Sequence, residues 1–186
     1  MLCAAVLLSG CALPRMIDSE VQSFAGSVPA ATGASYRFDR LPSQANNPAQ
    51  DQVEAMTADA LANAGLKRDD AAPRYLVQVD LGVEGMRNPY YRPPRSRLVL
   101  GNNGLWYEQP LFPDLESPWY RHRVHLLLRE TSSGQVAYET SATFEGPWSD
   151  TLNLLPPILE AALQDYPAPG TRKVVVELPG HSAGPR

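Results

Sequence analysis

The chain has 186 residues, with 16 Lys and Arg against 20 Asp and Glu, and a formal net charge of −4. It lacks the overall basic field that holds nucleic acid, and no nucleic-acid partner is expected. Its 2 cysteines, Cys3 and Cys11, both lie at the start, so the body must be stabilised by its own core rather than by disulfides, which a single domain of this size can do.

The first eight residues carry no charged or polar side chain, and Ser9 and Gly10 then put small side chains ahead of Cys11. Leu8-Ser9-Gly10-Cys11 resembles the lipobox of bacterial lipoproteins, in which a signal peptidase cuts before the cysteine and the thiol takes a lipid. A run this short does not span a bilayer, which takes roughly 20 apolar residues, so residues 1–10 read as a removed signal. The alternative is a buried N-terminal strand or helix that happens to hold a cysteine. A signal ordinarily opens with Lys or Arg, yet the first charge here is Arg15. The signal therefore reads as truncated at its start, with the true initiation codon upstream. On this reading Cys11 is the lipid attachment site, residues 11–15 are a lipidated tether, and the membrane is a partner through the anchor. The residue after the cysteine is Ala12. In the lipoproteins this resembles, an aspartate there favours the inner membrane, so the resemblance implies an outer-membrane anchor with the domain in the periplasm.

Beyond the tether, Ile17, Ser19, Val21 and Ser23 alternate with Asp18, Glu20, Gln22 and Phe24, a weak pattern expected of an edge strand. A small-residue loop over 26–33 leads to Tyr36 and Phe38, a second short strand that stops at Leu41-Pro42. A helix follows, with Asn47 as its cap, Pro48 at its first position and Gln50 placed to complete a capping box. Val53, Met56, Ala60, Leu61 and Ala64 recur at helical spacing, and Gly65 can take the left-handed conformation that ends the helix while Leu66 folds back. Tyr75, Val77, Val79, Leu81 and Val83 then point one way and Gln78, Asp80 and Glu84 the other, as in a half-buried strand.

Val124, Leu126 and Leu128, set against Arg121, Arg123 and Arg129, repeat that pattern. A turn over 131–134 returns it as Val136, Tyr138, Thr140, Ala142 and Phe144. Past Gly146-Pro147, Asp150 or a nearby residue starts a second helix whose apolar face is Ile158, Leu159, Ala162, Leu163 and Tyr166. The pair Pro156-Pro157 is expected to confine its regular part to the residues after Leu155, because proline is tolerated in a first turn but not later. Val174, Val176 and Leu178 make a last strand. The fold expected is α+β: one domain over residues 16–180, an antiparallel or mixed sheet with two helices packed on one face, and a flexible tail over 181–186.

Tyr36-Arg37-Phe38-Asp39-Arg40-Leu41-Pro42-Ser43-Gln44, the strand around Val77-Gln78-Val79, the hairpin ending Ala137-Tyr138-Glu139-Thr140, and Gly146-Pro147-Trp148-Ser149-Asp150 ahead of a helix and a Val-rich strand together resemble bacterial lipoproteins of the domain of unknown function 4136 family. The resemblance spans roughly residues 16–178, and its motifs are structural rather than catalytic. It implies a small α/β domain tethered in the cell envelope, with no activity to carry over.

Between the two long strands stands an insertion over 86–119, rich in Pro, Arg and aromatics. Arg87, Arg92, Arg95 and Arg97 sit among Tyr90 and Tyr91; Glu108, Asp114 and Glu116 follow among Trp106, Tyr107, Phe112 and Trp119. Leu98-Val99-Leu100 and Leu105-Trp106-Tyr107 flank Gly101-Asn102-Asn103-Gly104 as a small hairpin. A long loop of this composition is functional or disordered. One reading is a partner-binding surface of Arg87, Tyr90, Tyr91, Arg92, Arg95, Arg97, Trp106 and Tyr107, since Arg, Tyr and Trp dominate binding hot spots and Arg suits phosphate. The other is a lid, its aromatics folded over the sheet and its arginines solvated.

No nucleophile elbow, phosphate-cradling glycine loop, paired-cysteine site or zincin helix is present. His122 and His125, three apart on a strand, are sent to opposite faces and do not share a metal. His181 lies in the tail, and Asp69-Asp70 reads as a solvated turn rather than a calcium loop. No cofactor is expected. The function expected is therefore non-enzymatic: a lipid-anchored envelope protein that binds another envelope component, protein or lipid. One variant is an accessory subunit of a lipid-transport or outer-membrane assembly complex. A reading of another class is an envelope hydrolase, which predicts His122 or His125 beside a serine or carboxylate in a deep pocket.

Overall fold

The structure is a computed structural model that describes residues 15–113 and 115–178. The Leu8-Ser9-Gly10-Cys11 motif, Cys3, Asp114, His181 and the tail lie outside the described residues. The elements run β1 (Arg15–Ala25), β2 (Ser35–Phe38), α1 (Pro48–Asn63), β3 (Lys67–Arg68), β4 (Tyr75–Met86), β5 (Ser96–Leu100), β6 (Trp106–Pro110), β7 (Trp119–Glu130), β8 (Val136–Gly146), α2 (Thr151–Leu163) and β9 (Gly170–Leu178). Among the described residues, seven strands form one sheet in the order β3-β2-β4-β7-β8-β1-β9, while β5 and β6 form a separate hairpin. The large sheet is mixed, since β2 runs parallel to both β3 and β4. This is the α+β single-domain arrangement that the periodicity implies.

Alternation builds the core. Val77 and Val79 of β4, Val124, Leu126 and Leu128 of β7, and Ala142 of β8 are all buried on one face, where Leu155, Ile158 and Leu159 of α2 and Leu61 of α1 meet them. Helix α1 ends as its sequence requires. Gly65 has φ +87°, the Leu66 N–H donates to the Leu61 carbonyl at 2.9 Å and the Gly65 N–H to Ala62 at 3.0 Å, which together make a Schellman motif.

Three expectations are corrected. Strand β1 is not an edge: it lies between β8 and β9, and β9 and β3 are the edges. Its weak pattern has another cause, because Ser19 and Ser23 occupy inward positions and are buried there. The Ser23 hydroxyl donates to Thr140 Oγ1 (2.9 Å), leaving Thr140 to donate to the Ala162 carbonyl of α2 at 3.0 Å, so small polar groups rather than large apolar ones tie the helix to this part of the sheet. The capping box does not close either. Asn47 caps α1 by accepting from the Ala49 N–H at 3.1 Å, but Gln50 is buried and aims its amide at the Val79 carbonyl, 3.5 Å away. Finally, α2 runs from Thr151 straight through Pro156 and Pro157. These prolines deprive the Leu152 and Asn153 carbonyls of their helical donors, and both of those residues face solvent, where water can replace them.

Two tyrosines hold the 26–33 loop from beneath. The Tyr75 hydroxyl donates to the Pro29 carbonyl and accepts from the Ala31 N–H, each at 3.2 Å, and Tyr166 donates to the Ala31 carbonyl at 3.1 Å. Burial, reinforced by the neighbouring Tyr75 and Tyr138, raises the pKa of Tyr166 well above the ordinary tyrosine value of 10.0; burial also raises that of Tyr36, against the pull of Arg68. A folded-state pKa above the unfolded one stabilises fully below the unfolded value and is lost as pH climbs past it. Stability measured by chemical denaturation should therefore fall steadily above pH 10, and Tyr166→Phe should lower the plateau but flatten that fall.

Candidate functional site

The alternation of β7 sends its two histidines to opposite faces. His122 is 0% exposed and points into the core. Its Nε2 lies 2.8 Å from the Trp148 carbonyl and its Nδ1 3.3 Å from Thr151 Oγ1. A carbonyl only accepts, so Nε2 carries the proton, and the ring fastens the β8–α2 connection to the sheet. His125 stands on the other face with Nε2 2.9 Å from Glu139 Oε1, both groups part-exposed. His122→Ala should cost about 2–3 kcal/mol through lost packing and an orphaned carbonyl, whereas His125→Ala should stay within about 0.5 kcal/mol. Denaturation midpoints of the two variants check this, and equal losses would contradict the assigned roles.

Among the described residues, no helix covers that second face of the sheet. A shallow concavity of about 720 Å³ crosses it, lined by Glu20 and Gln22 of β1, Asp80 of β4, Arg121, Arg123 and His125 of β7, and Ser141, Thr143 and Glu145 of β8. Arg121 is its best-held group: Nε donates to Glu145 Oε1 at 2.7 Å, with Glu84 Oε2 3.7 Å away, and Glu145 raises the guanidinium pKa above its already high ordinary value. Ser141 is the residue directly opposite His125, but among the described residues no hydrogen bond joins them. The face is an open, interdigitated array of both charge signs. A groove of about 430 Å³ between α1 and α2, lined by Met56, Asp59, Asn63, Pro156, Glu160 and Tyr166 among others, likewise gathers no nucleophile beside a base.

Asp69 takes the turn role expected of it, accepting from the Ala71 and Ala72 N–H groups at 3.0 and 3.1 Å, while Asp70 pairs with Arg68 at 3.3 Å. No described helix is long and apolar enough to cross a membrane.

The insertion projects from the β4–β7 ladder, where Met86 and Trp119 are the last pair. Its base is closed by the Asn88 N–H donating to Glu116 Oε1 at 2.9 Å and the Asn88 side-chain amide to the Ser117 carbonyl at 3.3 Å. Tyr90 packs edge-on against Trp119, ring centroids 5.4 Å apart, and the Arg87 guanidinium lies 5.9 Å from the Tyr91 ring centre. Arg92 and Arg95 are exposed, and Arg97 donates to Gln109 Oε1 at 3.1 Å.

Farther out, β5 and β6 pair from Ser96↔Pro110 to Leu100↔Trp106, which puts Trp106 and Tyr107 on opposite faces of the hairpin. Every residue of both strands is exposed. The structure thus joins Tyr90, Tyr91 and Arg87 at the root and carries Trp106 and Tyr107 away from them. Pro89, Tyr90 and Trp119 approach the open sheet face, where they border a hollow with Asp18, Glu20 and Lys173. The aromatics of the hairpin do not fold over the sheet as a lid. The sequence singled out the aromatics and arginines as the binding surface but not the leucines beside them, which are as exposed: Leu98 is 68% exposed and Leu115 82%, against 65% for Trp106 and 69% for Phe112. The available signal was the absence of any charge from 98 to 107.

A family model described as "Domain of unknown function (DUF4136)" matches residues 21–168, most of the chain. No match is found among curated proteins. Among solved structures, the chain is similar to a PDZ domain protein from Parabacteroides distasonis, with a TM-score of 0.54 and 14% identity over 87% of this chain and 38% of that one. It thus spans well under half the length of that protein. It is also similar to the PelC dodecamer from Paraburkholderia phytofirmans, with a TM-score of 0.45 and 14% identity over 78% of this chain and 94% of that one. At 14% identity the likeness to the PDZ domain protein is one of fold alone.

Proposed function

Because the chain belongs to the domain of unknown function 4136 family, whose description names no activity, we propose from its own residues that it is a non-enzymatic protein held by a lipid on Cys11 at the periplasmic side of the outer membrane, where its insertion binds another envelope component. The observation that carries this reading is the exposed insertion. Soluble monomers rarely leave so many large apolar side chains together in solvent, and such patches mark interaction sites; here they stand beside Arg87, Tyr90, Tyr91, Arg92, Arg95, Arg97, Trp106 and Tyr107. The non-enzymatic part is supported by the two histidines, one committed to packing and one on an open face beside a single carboxylate. Crosslinking in cells followed by affinity purification tests it. With Arg87, Arg92, Arg95 and Arg97 all changed to Ala, captured envelope components should fall several-fold, because these side chains supply the charged contacts. Unchanged capture would remove the insertion as the binding surface.

A further inference from the structure

Resting on the lipid-anchored reading above, we infer that the tip of the β5–β6 hairpin is a second membrane contact, seated in the interface of the bilayer that holds the lipid on Cys11.

The sheet register places the two contacts at one end of the molecule. Across the sheet, Val83 is level with His122, His122 with Phe144, Phe144 with Ser19, and Ser19 with Val174. Following the strands outward from that row, Met86 and Trp119 stand level with Met16, and the next residue of the insertion, Arg87, follows level with Arg15. β1 runs away from this end, so Arg15, its first described residue, stands at the end of the sheet from which the insertion departs. Only two strand steps, roughly 10 Å at the usual spacing, separate β7 from β1. Cys11 lies four residues before Arg15, which limits the anchor to about 14 Å from that end. A bilayer holding the lipid is therefore within reach of the hairpin without any further partner.

The tip has the composition such a surface takes. From Leu98 to Tyr107 there is no charge; Leu98, Leu100 and Trp106 line one face of the ladder, and Val99 and Tyr107 the other. Beside the uncharged Gly101-Asn102-Asn103-Gly104 turn both faces of the hairpin are apolar, which suits shallow immersion, whereas a protein-docking strand pair would show one apolar face. Trp and Tyr favour the water–hydrocarbon boundary, having an apolar ring with a polar edge. Arg92, Arg95 and Arg97 stand at and before the base of β5, all exposed, and arginine is the residue type suited to headgroup phosphates. Depth is limited, because a two-stranded hairpin has unpaired backbone groups on both edges and these are not tolerated in hydrocarbon.

The full chain carrying Cys11→Ala has no acyl group, so its binding to vesicles reports the hairpin alone. It should float with vesicles of phosphatidylethanolamine containing a minority of phosphatidylglycerol, and brominated acyl chains should quench its fluorescence. Trp106→Phe should abolish most of that quenching, and Trp106→Ala with Leu100→Ala should lower the partition coefficient about tenfold or more. Arg95→Gln with Arg97→Gln should weaken binding only where phosphatidylglycerol is present. Thermal unfolding of each variant should be unchanged, since the tip is outside the core. Failure to float, quenching indifferent to Trp106→Phe, or a self-association that Trp106→Ala dissolves would overturn the inference, the last assigning the tip to a second copy. Absence of palmitate-analogue labelling on the native chain would instead overturn the anchor, leaving flotation to decide the hairpin.

Discussion

Cys11→Ala is expected to shift the chain from the membrane fraction almost wholly into the soluble fraction after a salt wash. One acyl chain contributes about 0.8 kcal/mol per buried CH₂ and holds a protein only marginally, while the several chains of a bacterial lipoprotein make attachment effectively permanent. Losing them leaves only the exposed hairpin, whose apolar tip and arginines make a contact that salt and dilution release. Cys3→Ala, in the segment expected to be removed, should leave the distribution unchanged. Metabolic labelling with a palmitate analogue followed by fractionation checks both variants. A Cys11→Ala chain that stays in the membrane after washing would mean that something other than acylation holds it. The register adds an orientation to this result. With Arg15 level with the root of the insertion, an anchor on Cys11 would turn that end toward the bilayer, and the opposite end of the sheet, with the 26–33 loop and the turn at Gly134, away from it.

Where one face of a strand is buried and the other wet, the sequence says so plainly. Val77 and Val79 of β4 and Val124, Leu126 and Leu128 of β7 can be read by counting in twos, and the same count sends His122 and His125 to opposite faces. Strand β1 defeats that reading. Its inward Ser19 and Ser23 are as polar as its outward Glu20 and Gln22, and only pairing with both β8 and β9 reveals it as interior. Pro156-Pro157 mislead for a related reason, since the cost of a mid-helix proline depends on whether the freed carbonyls can reach water, which needs the tertiary position of Leu152 and Asn153. The ion-paired open face was the least legible feature. Arg121, Glu84 and Glu145 come from three strands, and they meet through cross-strand register that no single segment encodes. The insertion was legible in composition but not in pose, because lid and projecting hairpin need the same aromatics.

Leu159→Ala should be the most destabilising of the single substitutions considered, by about 3–4 kcal/mol. Leu159 is fully buried in α2 and sits in the core shared with Leu155 and Ile158. Collapse around the lost side chain is restricted, because α2 is pinned by the Thr140 hydroxyl donating to the Ala162 carbonyl and by the Asp150 cap. The small Ala161 and Ala162 beside it cannot extend into the gap, so most of the cavity should persist. For a domain of this length each kcal/mol moves the melting midpoint by roughly 2–4 °C, which places the expected loss at roughly 6–16 °C by differential scanning calorimetry. Leu152→Ala, on the same helix but 40% exposed, should cost less than half as much. Trp106→Ala removes a larger apolar side chain than either, yet should leave the midpoint unchanged, because that ring lies on the projecting hairpin rather than in the core. If Trp106→Ala lowered the midpoint as Leu159→Ala does, the hairpin would be part of the packed body, and an exposed apolar tip could no longer be counted as a surface kept free for binding.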